Sequence, residues 1–523
     1  MAKYIFVTGG VMSGLGKGII SSSIGACLEW MGYEVLYQKL DPYLNCDPGT
    51  MNPTEHGEVF VTHDGMETDM DFGHFERFTT HKPDKRSSVT SGQIYQNILE
   101  DERKGNYLGK TVQMVPHATN EIKRRLQANR GDFKIIELGG TIGDDESSVF
   151  LEAIRQFRKK NECILVHLTF VPYLSCSGEF KTKPTQHSVK LLRQSIEPDI
   201  IVARCEQPVG KSIINKIEAF CDAPTFMAED VDNVYQIPVN LWNRGLINKV
   251  LELFKLEDKQ PSGIEKLGRW QCILDKKSQQ KIKLAIAGKY SNAKESYKSI
   301  VEAVWIASKH LELDTEIEYL DEGQEFHHYD AMIVPGGFGT RGIEFKILAL
   351  QYARENNIPV LGICYGLQLQ TIEYARNVLG IADAVSDEFF DDNPIPLEER
   401  GTRIITYMPG QEFCDKGGTM RLGKYRALVH NNTPFREMYG ENYIRERHRH
   451  RLEFMTNTYE QFFKDSKIKI GMSAGELIEA IYLEEHPFYI GVQFHPEFKS
   501  KFLKPHPLFI GLLNKAKEEK EKT

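Results

Sequence analysis

The sequence predicts an α/β protein of two doubly wound domains in series, and three observations carry that prediction. Short apolar strands alternate with helical patterns through residues 1–255, which signals a parallel sheet covered on both faces. The alternation stops between about Lys255 and Lys281, in the polar stretch KLEDKQPSGIEKLGRWQCILDKKSQQK, and starts afresh with KIKLAIAGKY. At 523 residues the chain also exceeds what one hydrophobic core holds. The expected division is an N-terminal domain at 1–255, a linker at 256–280 anchored by Trp270 and Ile273, a C-terminal domain at 281–517 and a charged, solvated tail at 518–523.

The first element, Tyr4 to Ile20 (YIFVTGGVMSGLGKGII), reads as a buried strand, a glycine-rich turn and a helix start in succession. Glycines let the backbone approach a ligand closely, and a helix N-terminus presents unpaired N–H groups. With the mobile charge of Lys17 the stretch reads as a phosphate cradle. It departs from the usual G-x-x-x-x-G-K-[ST] loop, because Val11 stands five before Gly16 and Gly18 stands where a magnesium-binding hydroxyl is expected. A metal would need ligands from elsewhere.

A helix over about Ile19 to Met31 leads through Gly32 to the strand EVLYQK, which ends at Lys39, Asp41 and Pro42. Residues 45–53, rich in Asn, Asp, Pro and Gly, form a loop. If the next segment is extended, Glu67, Asp69 and Asp71 share one face, either as a solvated strand edge or beside a divalent cation that offsets their repulsion. A helix through about Val112 to Asn129 precedes FKIIELGG, where Glu137 closes a strand at the end where α/β sheets place their ligands. Asp71 and Glu137 are therefore the candidate magnesium pair. Asp144, Asp145 and Glu146 precede a helix, a position where the dipole favours acids in any case. Lys181, Thr182 and Lys183 around Pro184 make either a cationic corner suited to a polyphosphate or a solvated turn. Lys216 follows in the helix after the strand DIIVARC.

In the C-terminal domain Cys364 closes a strand and opens a helix, with Gly362 and Gly366 two residues to either side. That G-x-C-x-G spacing is the geometry of a nucleophile elbow, and a helix N-terminus behind the sulfur favours the thiolate. A buried structural cysteine is the alternative. The stretch YIGVQFHPEF decides between them: His495 and Glu497, two apart in an extended chain, face the same way, so the carboxylate can orient an imidazole that serves the thiol. Gly336 and Gly337 offer backbone N–H groups to an oxyanion. Such a Cys-His-Glu set signifies acyl transfer through a thioester. ERHRHR, Glu446 to Arg451, lacks the partners of a zinc site and reads as a basic, anion-facing loop.

Bulk composition narrows the function classes. A net charge of −8 argues against a general nucleic-acid binder, and no apolar run approaches the ~20 residues that span a bilayer. Nine cysteines without a C-x-x-C pair, and no secretory signal, point to a reducing cytoplasm.

Ten stretches together, TGGVMSGLGKGI, KLDPY, HGEVFV, ETDMDFGHFERF, SGEFKTKPTQHSV, PGGFGTRG, LGICYGLQ, GGTMRLG, ERHRHR and QFHPEF, resemble the CTP synthase family along nearly the whole chain. The resemblance implies an N-terminal amidoligase domain, P-loop-like, and a C-terminal class I glutamine amidotransferase domain. It implies ATP at Gly14, Leu15, Gly16, Lys17, Gly18, Ile19 and Asp71, with Mg2+ on Asp71 and Glu137, phosphorylating the uracil O4 of UTP so that ammonia displaces the phosphate. Ammonia would come from glutamine through Cys364, His495 and Glu497. Glutamine itself would lie at Gly337, Tyr365, Gly366, Leu367, Gln368, Glu388 and Arg451. UTP, and CTP as product inhibitor, correspond to Ser13, Lys181, Thr182, Lys183, Pro184, Thr185, Gln186 and Lys216, with Asp144, Asp145 and Glu146 on CTP and Lys39 as a further phosphate-side lysine. GTP as activator corresponds to Arg341, Gly342 and Glu344, and His56 to Val59 to a stretch gating an internal ammonia channel. A homotetramer with UTP between subunits, prone to filaments, is implied as well.

This chain departs from the family pattern at Gly14 (a serine there), Tyr365 (a leucine), Asp145 (an aliphatic residue) and Leu452 (a tyrosine). Tyr365 would narrow the glutamine pocket and Asp145 would alter inhibition by CTP. A related amidoligase with a carboxylate substrate is the main alternative, which KTKPTQ speaks against; a non-catalytic filament-forming descendant is opposed by Lys17, Asp71, Glu137, Cys364, His495 and Glu497.

Overall fold

The computed structural model describes residues 2–127, 130–257, 260–289, 294–390, 395–408 and 419–522. They form two compact units: Met1–Pro48 with Asp71–Leu274, and Gly49–Met70 with Asp275–Thr523. In the first unit a seven-stranded sheet runs in the order Thr225–Glu229, Ile200–Cys205, Cys163–Phe170, Lys3–Gly9, Phe133–Leu138, Val35–Asp41, Ser88–Thr90. All neighbours are parallel. Its central strands are continuous apolar runs because both faces are covered; Ile5, Val7, Ile135 and Ile136 have no exposed surface. The doubly wound order brings the ends of Lys3–Gly9, Val35–Asp41 and Phe133–Leu138 to one edge, where a ligand crevice is expected.

Residues 67–71 are not one extended face. Glu67–Thr68 is a two-residue strand, and Asp71 opens the helix Asp71–Phe78, because Phe72, Phe75 and Phe78 bury at helical spacing. Glu67 is itself buried, accepting from the Arg449 guanidinium at 2.8 Å. The helix expected over Val112–Asn129 is α-helical only over Thr119–Leu126, after a π-turn at Met114–Ala118 where Pro116 lacks an N–H; residues 128–129 lie outside the described residues. Within 256–280, of which 258–259 are outside the described residues, Gln260–Leu274 is a helix. Trp270 holds it: the ring is fully buried, 5.3 Å from Trp30, and its indole N–H donates to the Tyr235 carbonyl at 2.8 Å. The C-terminal charges belong to the helix Pro507–Lys522, lined with i,i+3 pairs such as Lys515–Glu518.

In the second unit a nine-stranded sheet runs Leu313–Leu320, Gln280–Ala287, Ala331–Val334, Val360–Ile363, Tyr489–Val492, Leu477–Leu483, Ile468–Ala474, Arg421–Val429, Tyr443–His450. The first five strands are parallel and the rest antiparallel. ERHRHR is thus part of an edge strand and not a loop. Its side chains have partners on both faces: Arg447 donates to the Val61 carbonyl at 3.0 Å, the half-buried Arg449 meets Glu67, and on the opposite face His448 and His450 lie with Arg421, Glu453 and Glu479. Strand alternation, with polar partners on both faces, buries most of a segment whose hydropathy reads as surface.

The segment Gly49–Met70 packs within this second unit although it precedes most of the first in sequence. Glu58 accepts from the Ser299 N–H at 2.9 Å, and Ser296 donates to the Pro53 carbonyl at 3.1 Å. Gly417 and Gly418 of GGTMRLG lie outside the described residues. No helix among the described residues is long and apolar enough to cross a membrane.

Candidate active sites

The glycine-rich loop of the first unit ends at Gly16, in the left-handed region at φ 93°, and the helix Lys17–Trp30 starts at once. Gly18 then has a specific reason to lack a side chain. A Cβ there would stand 2.1 Å from Asp71 Oδ1, so the Asp71 carboxylate fills the space that a hydroxyl at position 18 would use. Around it the strand ends contribute Lys39, which donates to Asp71 and lies 3.7 Å from Asp41, and Glu137, which accepts from the Tyr37 hydroxyl at 2.6 Å. The Lys17 ammonium donates to the Gly140 carbonyl at 2.7 Å.

The charges in this cluster are poorly matched. Burial, and then the charge of Asp71, holds the Glu137 carboxyl well above the usual carboxylate range. Burial disfavours the Asp71 charge most strongly, but Lys39, His74 and Lys17 together outweigh it and hold Asp71 below the usual carboxylate range. Burial pushes the Lys17 ammonium down, against the pull of Glu137. Two repelling acidic groups beside a glycine-rich loop suit a divalent cation. Among the described residues no group of three or more His, Cys, Asp or Glu has metal-holding geometry, so such an ion would take its other ligands from phosphate and water, as magnesium does.

In the second unit the parallel pairing of Val360–Ile363 with Tyr489–Val492 carries Cys364 and His495 out of the sheet side by side. Cys364 sits at φ 54°, ψ −103°, a strained elbow just before the helix Tyr365–Asn377. The turn closes only with glycine at 366, where a Cβ would fall 2.1 Å from the Val334 carbonyl oxygen. His495 Nδ1 is 2.7 Å from Glu497 Oε1, while Nε2 is buried without a hydrogen-bond partner among the described residues. Burial opposes a charged imidazole, yet the Glu497 carboxylate and then the Cys364 thiol raise its pKa to about 10. A Cβ on Gly336 would stand 3.0 Å from His495 Cε1 and 3.5 Å from Cys364 Cβ, which places that backbone against the pair. A cavity of about 90 Å³ opens here, lined by Cys364, His495, Gly336, Arg449, Glu58 and Val59. A thiol, a carboxylate-oriented imidazole and an adjacent glycine backbone can together form and break an acyl-sulfur bond.

Residues 3–256 match the CTP synthase N-terminus family, and residues 292–515 match the class-I glutamine amidotransferase family. A CTP synthase of Hydrogenobaculum sp. (strain Y04AAS1) is 48% identical over 532 residues, 98% of each chain. One of Thermosynechococcus vestitus (strain NIES-2133 / IAM M-273 / BP-1) is 46% identical over 540 residues, 99% of this chain and 97% of that one. The chain belongs to the CTP synthase family. Members of this family are glutamine-hydrolysing ligases, and the chain carries both the family's N-terminal domain and a class-I glutamine amidotransferase domain. Among solved structures, the glutaminase domain of Trypanosoma brucei CTPS with bound acivicin is 30% identical over 45% of this chain and 94% of that chain, with a TM-score of 0.41.

The other residues singled out in the sequence take the following places. In the loop, Ser13 and Gly14 are exposed, Leu15 is buried, and the Gly14 carbonyl accepts from Arg204 at 3.1 Å; Ile19 lies in the first turn of the helix. Asp144 accepts from the Thr141 N–H at 3.0 Å, and Asp145 and Glu146 are exposed beside it. Lys181 pairs with Glu179, which also feels the charge of Lys216, so these two lysines share one patch. Lys183 and Pro184 open the helix Lys183–Leu192; Gln186 donates to the Thr182 hydroxyl at 3.2 Å, and the Thr185 hydroxyl is turned inward to the Phe170 carbonyl at 3.0 Å. Tyr365 and Glu388 converge on one turn, the hydroxyl donating to the Gly339 carbonyl at 3.4 Å and the carboxylate accepting from the Gly339 N–H at 2.5 Å. Gly337 sits in that turn, Leu367 is core, and Arg451 is half-buried. Arg341 and Glu344 diverge, to the Lys289 carbonyl at 3.4 Å and to Arg376 at 3.0 Å, with Gly342 between them as a helix cap.

Sequence reasoning missed three supports. Gln493 donates to Cys364 Sγ at 3.6 Å and accepts from Gln368 at 3.1 Å; the alternation in QFHPEF places it on the His495 side of the strand. His167 bridges the Thr8 hydroxyl (2.9 Å) and the Ser188 hydroxyl (2.8 Å) behind the phosphate loop, which no local signal announces. Lys346 is buried beside the amidotransferase centre within an otherwise ordinary helix.

Proposed function

We propose that this chain converts UTP to CTP with ATP and glutamine, each unit performing one half of the reaction. The observation that carries the reading is the elbow cysteine facing a Glu497-oriented imidazole, in a chain that also holds a lysine-bearing phosphate cradle. Cys364 Sγ attacks the glutamine side-chain amide, and His495 gives its proton to the departing nitrogen, so ammonia leaves and a thioester remains. Water, deprotonated by His495, then releases glutamate and restores the thiol. Glu497 holds the imidazole in orientation throughout, and the Gly336–Gly337 backbone receives the negative oxygen. Gly337, Tyr365 to Gln368, Glu388 and Arg451 hold the glutamine.

In the N-terminal unit Gly14 to Ile19 seat the ATP phosphates, and Lys17 and Lys39 balance charge as the terminal phosphoryl passes to the uracil O4. Ammonia displaces that phosphate at C4 and CTP results. Asp71 and Glu137 would hold magnesium, which when bound neutralises phosphate charge. Ser13, Lys181 to Gln186 and Lys216 take UTP, and Asp144 to Glu146 take CTP as inhibitor. GTP activates through Arg341, Gly342 and Glu344, and His56 to Val59 gate the ammonia. The working protein is a cytoplasmic homotetramer that can extend into filaments, with domains at 1–255 and 281–517 flanking a 256–280 connection. The test is the ultraviolet absorbance change of UTP to CTP conversion, with glutamine or ammonia and with or without GTP. UTP-dependent ATP consumption with CTP formation supports the reading, and ATP consumption indifferent to UTP would overturn it.

A further inference from the structure

We propose that Lys346 is a second electrostatic support of the amidotransferase centre, its ammonium favouring negative charge on the Cys364 sulfur and on the oxygen of the attacked amide. The proposal rests on the reading of Cys364 as nucleophile.

Lys346 lies in the helix Ile343–Glu355 and is among the largest fully buried side chains, 1% exposed. Burying an ammonium without a counter-ion is costly, and no carboxylate among the described residues pairs with this one. Its surroundings locate its purpose. Nζ stands 5.4 Å from the centre of the Tyr365 ring, the residue directly after Cys364. It would be 3.7 Å from a Cβ on Gly337, next to the Gly336 backbone that touches His495 and Cys364.

The charged groups facing it from each packed element can be named. Lys289, after the strand Gln280–Ala287, donates to the Phe338 carbonyl, and Cys364 and Tyr365 come from the start of the next helix. Glu388 is bonded to Gly339, and Arg449 lies over the Phe338 ring at 5.0 Å. On its own helix Glu344 is turned to solvent with Arg376. Burial, and then the like charge of Lys289, lower the Lys346 pKa to about 7, and the Cys364 thiolate is the group that pulls it back up. A charge buried beside this turn acts at low dielectric on the negative charge that the reaction develops there. A methionine would fill this space at less desolvation cost; the lysine supplies charge where the reaction develops its opposite.

The experiment measures alkylation of Cys364 by iodoacetamide from pH 5.5 to 9.5 in the full-length protein, Lys346→Met and Lys346→Gln, with a thermal melt of each. The native rate should show a step near pH 7, where Lys346 loses its charge. Both variants should lack that step, react roughly tenfold more slowly at pH 6 and converge on the native rate at high pH. In steady-state glutamine hydrolysis, Lys346→Met should lower kcat with little change in KM. Superimposable profiles with normal labelling at Cys364 would overturn the proposal and leave the nucleophile in place. Should neither variant fold, a native profile without the extra step overturns it alone. Failure of glutamine to protect Cys364 from label would instead bring down the reading of the nucleophile, and this proposal with it.

Discussion

The two sites lie at the same place in two similar architectures, the carboxyl ends of parallel strands beside a helix start, yet they are finished to different degrees. In the second unit the candidate groups are already paired: His495 with Glu497, Gln493 with Cys364, and a strained backbone holding the sulfur. In the first unit the groups of greatest interest are mismatched. Asp71 and Glu137 repel one another, Lys17 leans on a backbone carbonyl, and Glu137 is held by a tyrosine hydroxyl. A neutral amide brings no charge, so the site that hydrolyses it must be preorganised by the protein alone. A nucleoside triphosphate with its cation brings several charges, and a site for it is completed only on binding.

Substitutions separate the two sites. The largest effect expected is for Lys17→Ala, which should cut CTP formation by roughly 10³ or more whether glutamine or ammonia supplies the nitrogen. Glutamate release from glutamine should persist, measured separately, and equal loss of both activities would deny the independence of the sites.

Glu497→Gln should reduce kcat/KM for glutamine hydrolysis roughly 10²-fold, since it removes the orienter of a general base. It should also alter stability in a pH-dependent way. The folded-state pKa of His495 is raised from 6.5 to about 10, so the stability it contributes is fully present below pH 6.5 and is lost as pH rises towards 10. The variant should thus be less stable than the native protein by about 3 kcal/mol at pH 6, with the gap in melting temperature closing at alkaline pH. A gap that does not change with pH would assign Glu497 a purely packing role.

The smallest effect concerns the metal. Glu137→Gln should raise the magnesium concentration for half-maximal ammonia-dependent activity roughly tenfold. Magnesium dependence left unchanged would place the ion elsewhere.

Much of this was legible in the sequence because it is local. The strand–glycine–lysine succession at Tyr4 to Ile20 and the G-x-C-x-G elbow are written in consecutive residues whose backbone requirements are strict. His495 and Glu497 follow from strand alternation alone. What escaped depends on pairs distant in sequence. ERHRHR reads as surface because the partners that bury it, Glu67, Val61, Glu453 and Glu479, come from elsewhere in the chain. Gln260–Leu274 reads as a connection because one tryptophan docks an otherwise polar helix. Gly18 shows the reverse case. Its missing hydroxyl is visible in sequence, and only the position of Asp71 explains it.

In the proposed reaction one unit makes ammonia and the other consumes it. The most direct test is Cys364→Ala assayed for CTP formation with glutamine and, separately, with ammonium chloride. Loss of the glutamine-dependent rate by roughly 10⁶, with the ammonia-dependent rate near native, is the predicted result. A folded variant that ammonia cannot rescue, or one that still uses glutamine, would contradict the account.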